Sequence, residues 1–123
     1  MTIEIAPKKN IAGGGLVGMN AGSSLLACYA TGNVTSTGSS TGNVHIGGLF
    51  GDSYTTVTAC YWKNNHEQGI GYNKEGIVPE ATKVDGTGVT WKKAVDAMNT
   101  ALQNAGSKWR YELNGALPTL RKQ

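Results

Sequence analysis

The sequence predicts a mainly β chain with a C-terminal α-helix, in which a core of two motif copies is capped by the helix and a β-hairpin. Three observations carry that expectation. A glycine-rich motif occurs twice. The composition is rich in turn residues and poor in charge. Apolar residues adopt helical spacing only after Thr90.

The repeat comes first. "GGLVGMNAGSSLLACYATGN" begins at Gly14 and "GGLFGDSYTTVTACYWKNN" at Gly47. Gly14, Gly15, Leu16 and Gly18 match Gly47, Gly48, Leu49 and Gly51. After a one-residue gap, Ala27, Cys28 and Tyr29 match Ala59, Cys60 and Tyr61. The offset is 33 residues before the gap and 32 after it. Agreement of this kind, in order, marks two copies of one structural unit.

Composition points the same way. The 123 residues are enough for one domain with one core. The 18 glycines are about twice the usual ~7% share, and charged residues, at 15%, fall well below the usual ~25%. A turn-rich, weakly charged chain suits an extracellular β domain better than a cytosolic helical one. The net charge of +3 forms no dense Lys/Arg stripe, which argues against nucleic acid as a partner. No apolar run approaches the ~20 residues of a membrane span. "MTIEIAPKKN" lacks the apolar centre of a signal peptide, so the composition favours a mature fragment carrying an added Met1.

Within each copy, "SLLACYA" and "TVTACYW" read as strands. Simple alternation places Leu25, Ala27 and Tyr29 on one face and Leu26, Cys28 and Ala30 on the other. Both faces are largely apolar, so both should be covered. "TGNVTSTGSSTGNV", residues 31–44, reads as two short strands around a turn-rich loop. Residues 66–90 form a polar, glycine-rich excursion with one short strand near Ile70 to Tyr72. Trp91, Ala94, Val95, Met98, Ala101, Leu102 and Ala105 then predict a helix from Trp91 to Ala105, with Thr90 as N-cap and Gly106 just past its end. Trp109, Tyr111 and Leu113 alternate, and Asn114-Gly115 predicts a tight hairpin turn returning through Leu117 and Leu120. Pro118 confines the returning strand to an edge or a short piece. One domain results: repeats over 1–65, the excursion over 66–90, and a helix-plus-hairpin cap over 91–123.

Motifs with chemical meaning are few. Gly13, Gly15 and Gly18 spell G-x-G-x-x-G, but "APKK" makes a poor preceding strand, Gly22 breaks a following helix, and no acid lies between Glu4 and Asp52. The second copy has Ile46 in place of Gly13, so the fingerprint is absent there. "GSSTG" around Ser40 matches G-x-S-x-G inside a polar tract with no helix to follow. "HEQGI" begins like a zinc-peptidase motif at His66 and Glu67, but Ile70 stands where the second His belongs. His45, His66, Cys28 and Cys60 have irregular spacing for zinc. Glu4, Asp52, Glu67, Glu75, Glu80, Asp85, Asp96 and Glu112 are scattered, with no pair suggesting a glycosidase. Asp85, in "VDGTG", reads as a turn residue. No catalytic residue, cofactor or metal site is expected.

Tyr29, Tyr61, Trp62 and Tyr72 either line a carbohydrate platform or pack, and the shared repeat position of Tyr29 and Tyr61 favours packing. The candidate ligand-facing aromatics are Tyr54, Trp62 and Tyr72. Cys28 and Cys60 hold equivalent repeat positions. Stacked in register they lie within disulfide range, but parallel side chains suit a ladder of reduced thiols better than a bridge.

"GGLVG", "CYATGNV", "GGLFG" and "CYW" together resemble the GLUG motif over residues 11–65. That motif occurs in bacterial cell-surface and secreted proteins, including IgA-cleaving metallopeptidases and adhesin-like proteins. The tail, through "WRYELNGALPTL", looks like C-terminal segments that follow such repeats in surface proteins of gut anaerobes. The resemblance implies a short β-solenoid-like (β-helix) core and an extracellular or cell-surface setting. It carries over no catalytic residue, since the peptidase activity of some relatives belongs to a separate zinc domain. It also gives the Asn33-Val34-Thr35 sequon no glycosylating pathway. The structural residues it implies are Gly14, Gly15, Gly18, Gly47, Gly48 and Gly51. Two copies are few for a solenoid, so the chain is expected to end a longer array or to be closed by its helix and hairpin. The expected function is a non-catalytic surface module of an adhesin-like or scaffold protein, with a host or cell-surface glycan or protein as partner. The alternatives are a carbohydrate-binding module using exposed Tyr or Trp, and an accessory domain of a secreted hydrolase.

Overall fold

The computed structural model describes residues 2–4, 10–21, 24–38, 42–74 and 76–123. It is mainly β with one C-terminal helix, and its sheets form no closed barrel among the described residues. The first motif copy supplies β2 (Ile11–Gly14), β3 (Val17–Asn20), β4 (Leu25–Leu26) and β5 (Tyr29–Ala30), after β1 (Thr2–Glu4). Next come β6 (Thr35–Thr37) and the second copy: β7 (Val44–Gly47), β8 (Phe50–Ser53), β9 (Val57–Thr58) and β10 (Cys60–Trp62).

Each strand pairs in parallel with its own counterpart: β1 with β6, β2 with β7, β3 with β8, β4 with β9 and β5 with β10. The register equals the repeat offset. Gly14 lies opposite Gly47, Met19 opposite Asp52, and Tyr29 opposite Tyr61. Parallel pairing requires a long connection between partners, and the repeat supplies it, because one copy leads from each strand to its neighbour.

Two more strands extend these ladders. β11 (Ile70–Asn73) joins β8, and β12 (Ala81–Lys83) joins β10, giving the orders β3-β8-β11 and β5-β10-β12. β11 falls where the excursion was expected to hold a strand. β12 had no signal: "ATK" has weak strand character, and only pairing along β10 makes it extended.

Close approach explains the repeat glycines. A Cβ at Gly48 would stand 2.5 Å from the Trp62 ring, and one at Gly51 would stand 2.7 Å from the Gly18 carbonyl. At Gly14 it would overlap the Leu49 carbonyl, at Gly15 the Gly48 carbonyl, and at Gly47 the Phe50 carbonyl. Gly18 is looser, with the Ala12 carbonyl at 3.1 Å. None of the six takes a positive φ, so the demand is close contact and not an unusual bend: with neighbouring backbone at Gly14, Gly15, Gly47 and Gly51, and with the Trp62 and Asn64 side chains at Gly48. Gly69 and Gly71 continue the pattern, against the Trp62 ring at 2.6 Å and the Ile46 amide at 2.5 Å.

The bend is made by alanine instead. Ala27 (φ 57) and Ala59 (φ 50) sit in the left-handed region, interrupting the runs read as continuous strands. This shifts the side-chain alternation by one residue. Leu25, Cys28 and Ala30 share one core with Leu49, Phe50, Val57, Cys60 and Trp62. Leu26, Ala27 and Tyr29 face a second core with Ala59 and Tyr61. The expected grouping of Leu25 with Ala27, and of Leu26 with Cys28, is therefore corrected. A residue in the left-handed region reverses the pleat, so each face changes occupants at the corner.

Helix α1 (Trp91–Asn104) covers the second core with Trp91, Ala94, Val95, Met98 and Ala101, while Leu102 packs at its margin. Thr90 caps it, accepting from the Lys93 amide at 3.3 Å, and Gly106 follows the C-cap with φ 74. β13 (Trp109–Glu112) and β14 (Thr119–Lys122) form an antiparallel hairpin. Their register pairs Glu112 with Thr119, which leaves residues 113–118 as the connection. Asn114-Gly115 therefore does not form the expected two-residue turn. Gly115 lacks the positive φ that turn needs, and buried Pro118, whose carbonyl accepts from the Tyr29 hydroxyl at 2.5 Å, draws the loop onto the repeats. Tyr111 ties the hairpin down: its hydroxyl donates to the Ala27 carbonyl at 2.5 Å. The Asn99 carboxamide meets the Tyr111 amide at 2.7 Å and its carbonyl at 3.0 Å.

Candidate functional site

The three candidate ligand-facing aromatics separate. Trp62 is buried at 6% exposure, and its indole Nε1 donates to the His66 carbonyl at 2.8 Å. It is a core residue, not a ligand-facing one. Cys60, Tyr61 and Trp62 alternate along β10, so Trp62 points inward with Cys60, filling the space that Gly48 and Gly69 leave open. Tyr54 and Tyr72 are exposed, at 36% each, and stand together with ring centroids 5.7 Å apart and planes 33° apart.

The pairing of the copies builds this cluster. Met19, Asp52 and Tyr72 are register partners on β3, β8 and β11, one from each level of the ladder. Tyr54 follows β8 directly, held by its amide on the Asn20 carbonyl at 2.8 Å. His45, on β7, lies 5.3 Å from the Tyr72 ring, and its Nδ1 meets Asp52 Oδ1 at 2.5 Å. The Asp52 side chain is 8% exposed and that of His45 29%. Burial of so polar a pair is tolerable because each group answers the other. A cavity of about 200 Å³ opens beside them, lined by Asn10, Ala12, Met19, Asn43 and Tyr54 as well as the pair. Desolvation first, then the nearby Asp52 and Tyr72, hold the Tyr54 phenol above its ordinary value, so it keeps its proton at neutral pH.

Neither His45 nor Asp52 stood out in the sequence. One signal was available: Asp52 takes the repeat position of Met19, an acid in a strand of small and apolar residues.

The other candidate chemistry disperses. His66 contacts the Val34 carbonyl through Nε2 at 2.7 Å, and Asn65 clamps the same residue, accepting from its amide and donating to its carbonyl, both at 2.8 Å. The segment that began like a zinc-peptidase motif thus staples Val34, just before β6, to the end of the second copy. No group of three His, Cys, Asp or Glu among the described residues is placed to hold a metal. Glu67 pairs with Lys83, Asp96 with Lys92 and Glu112 with Arg121. Asp85 accepts from the Thr87 and Val89 amides at 2.9 Å, as a turn residue does, and those bonds lower its pKa. The Ser40 match lies outside the described residues.

Cys28 and Cys60 are free thiols, each directed at a carbonyl two residues back, Leu26 and Thr58, at 3.5 Å. The neighbouring Cys60 thiol pulls Cys28 down to about 7, while Cys28 and burial push Cys60 up. Cys28 also borders clefts of about 430 and 340 Å³ beside Tyr111 and Leu120.

A larger groove of about 780 Å³ runs between α1 and the β9, β10 and β12 edge, with Ala59, Tyr61, Pro79, Ala97 and Ala101 in its walls. It is wide but lined chiefly by small neutral side chains, so the grouped polar chemistry lies at the smaller cavity. No helix among the described residues is long and apolar enough to cross a membrane. Comparison of the chain with family models, with curated proteins and with solved structures returns no match in any of the three.

Proposed function

We propose that the chain is a non-catalytic module of an extracellular or cell-surface bacterial protein of the GLUG-repeat kind, adhesin-like or scaffolding. In this reading each motif copy is one coil of a short β-solenoid, and the helix with its hairpin is the cap. The observation that carries it is the parallel pairing of the two copies at the repeat offset, strand for strand. Four of the six glycines that resemble the GLUG motif, Gly14, Gly15, Gly47 and Gly51, sit where adjacent backbones approach too closely for a side chain, as stacked coils require. The helix covers the flank that the left-handed alanines create. Among the described residues β3 and β5 are the end strands of their sheets, and in this reading a further copy stacks on them. The His45–Asp52 pair then serves binding or packing, the Ser53 hydroxyl being turned toward Asn20 and Thr55. The partner is a glycan or protein at a cell surface, with no nucleic acid and no inserted membrane segment.

The test is fractionation of cells that carry the gene, probed with an antibody to this chain. Labelling of intact cells or of the culture medium is expected. Signal confined to the cytosol overturns the reading.

A further inference from the structure

The exposed face of β7, β8 and β11 gathers what a sugar ring needs. Tyr54 and Tyr72 offer an aromatic surface tilted by 33°, with exposed Met19 beside it. His45 and Asp52 stand at the edge of that surface, joined Nδ1 to Oδ1 at 2.5 Å. Asn10 and Asn43 bring carboxamides to the cavity that Tyr54, His45 and Asp52 line, and Asn10 Oδ1 already accepts from the Asn43 amide at 2.9 Å; Tyr72 stands at its rim, against the Tyr54 and His45 rings. The side chains come from separate strands locked in register, so the arrangement is set before any ligand arrives.

We propose that Tyr54, Tyr72, His45 and Asp52 form a binding site for a neutral hexose residue, such as the terminal unit of a glycan. Charge selects the class. Among the described residues the one acid in the cavity is answered by its own histidine, and no lysine or arginine lines the walls, so these residues offer an ionic ligand no counter-charge. Size selects the extent. A cavity of about 200 Å³ is below the roughly 300–1,000 Å³ typical of sites for drug-sized ligands, and it suits one ring. The C–H face of a pyranose lies on the tyrosines, while the carboxamides, the imidazole and the Tyr54 hydroxyl meet its hydroxyl groups. Trp62, the third aromatic suggested by the sequence, takes no part, because it is buried.

The site does not depend on the chain residing at the cell surface, so the two readings fail separately. The experiment is titration of the whole chain with methyl glycosides of glucose, galactose, mannose and N-acetylglucosamine, followed by amide NMR shifts. A glycan array that includes sialylated and sulfated members runs beside it. At least one neutral glycoside should shift signals around His45, Asp52, Tyr54 and Tyr72. Tyr54→Ala and Tyr72→Ala should each bind about tenfold more weakly. Tyr72→Phe should keep most of the affinity, and so should Trp109→Ala, which removes an exposed ring on the hairpin. Absence of binding by every neutral glycan, binding of charged glycans alone, or equal loss in Trp109→Ala overturns the proposal. The wild-type titration decides the matter even if an alanine variant fails to fold.

Discussion

Gly51 and Gly32 are alike in sequence and opposite in surroundings. A methyl group at Gly51 would stand 2.7 Å from the Gly18 carbonyl, whereas one at Gly32 would meet nothing within 4 Å. Gly51→Ala should therefore cost about 1–3 kcal/mol or more, and Gly32→Ala less than about 0.5 kcal/mol, in urea unfolding midpoints. Ala59 poses the reverse problem, since its side chain must tolerate φ 50. A β-branched side chain is a poor fit for that region, so Ala59→Val should unfold at lower urea than an exposed alanine-to-valine control. The cysteine pair adds a pH signature. Cys28 falls from 9.0 to about 7 in the folded chain, so between pH 7 and 9 the unfolded chain holds more protons and stability rises with pH. Cys60 is shifted the other way and keeps its proton after the unfolded thiol has lost its own, so stability falls again above pH 9. Urea midpoints from pH 7 to above 9 should trace this rise and fall, and Cys60→Ala should remove the rise and weaken the fall, of which the raised Tyr61 and Tyr111 phenols keep a share. Of these residues the glycines were legible as a repeat, but the alanines were not: nothing about Ala in "ACY" announces a left-handed backbone until both neighbouring ladders impose it.

At the scale of elements, legibility followed locality. Helix α1 was readable from Thr90 to Gly106 because its cap, its apolar spacing and its terminator act within a few residues of one another. The hairpin was readable as two strands but not in its turn. Asn114-Gly115 carries the local preference for a two-residue loop, yet Pro118 and its bond from Tyr29 draw six residues into the connection. β12 was silent, since its extended form comes from β10. The joint between helix and hairpin rests on Asn99, whose carboxamide takes both the amide and the carbonyl of Tyr111. Asn99→Leu leaves those groups without their partner and should cost about 1–3 kcal/mol. Amide exchange should quicken in β13 and β14 before it does in β8. Exchange that stays unchanged in the hairpin would show that the Tyr111 and Pro118 bonds hold it down without Asn99.

For the whole molecule, the proposed stacking makes a demand that no single substitution tests. If each copy is a coil, a duplicate of residues 14–46 inserted between Ile46 and Gly47 should be accepted, adding one more level to each parallel ladder. The enlarged chain should stay monomeric and unfold cooperatively at a urea midpoint no lower than that of the parent. An insoluble or non-cooperative product would break the coil reading. The candidate site belongs to this scale too, because Met19, Asp52 and Tyr72 meet only when three levels align. By itself the sequence determined the mainly β character, the repeat and its offset, and the terminal helix, all of which rest on composition or on order along the chain. Tertiary structure decided that the copies lie side by side in register, that Trp62 turns inward, and that His45 reaches Asp52 beside two tyrosines. Those outcomes depend on which strand neighbours which and on a reversal of pleat at Ala27 and Ala59. Both are set by contacts between residues distant in the chain, which a reading of local pattern does not contain.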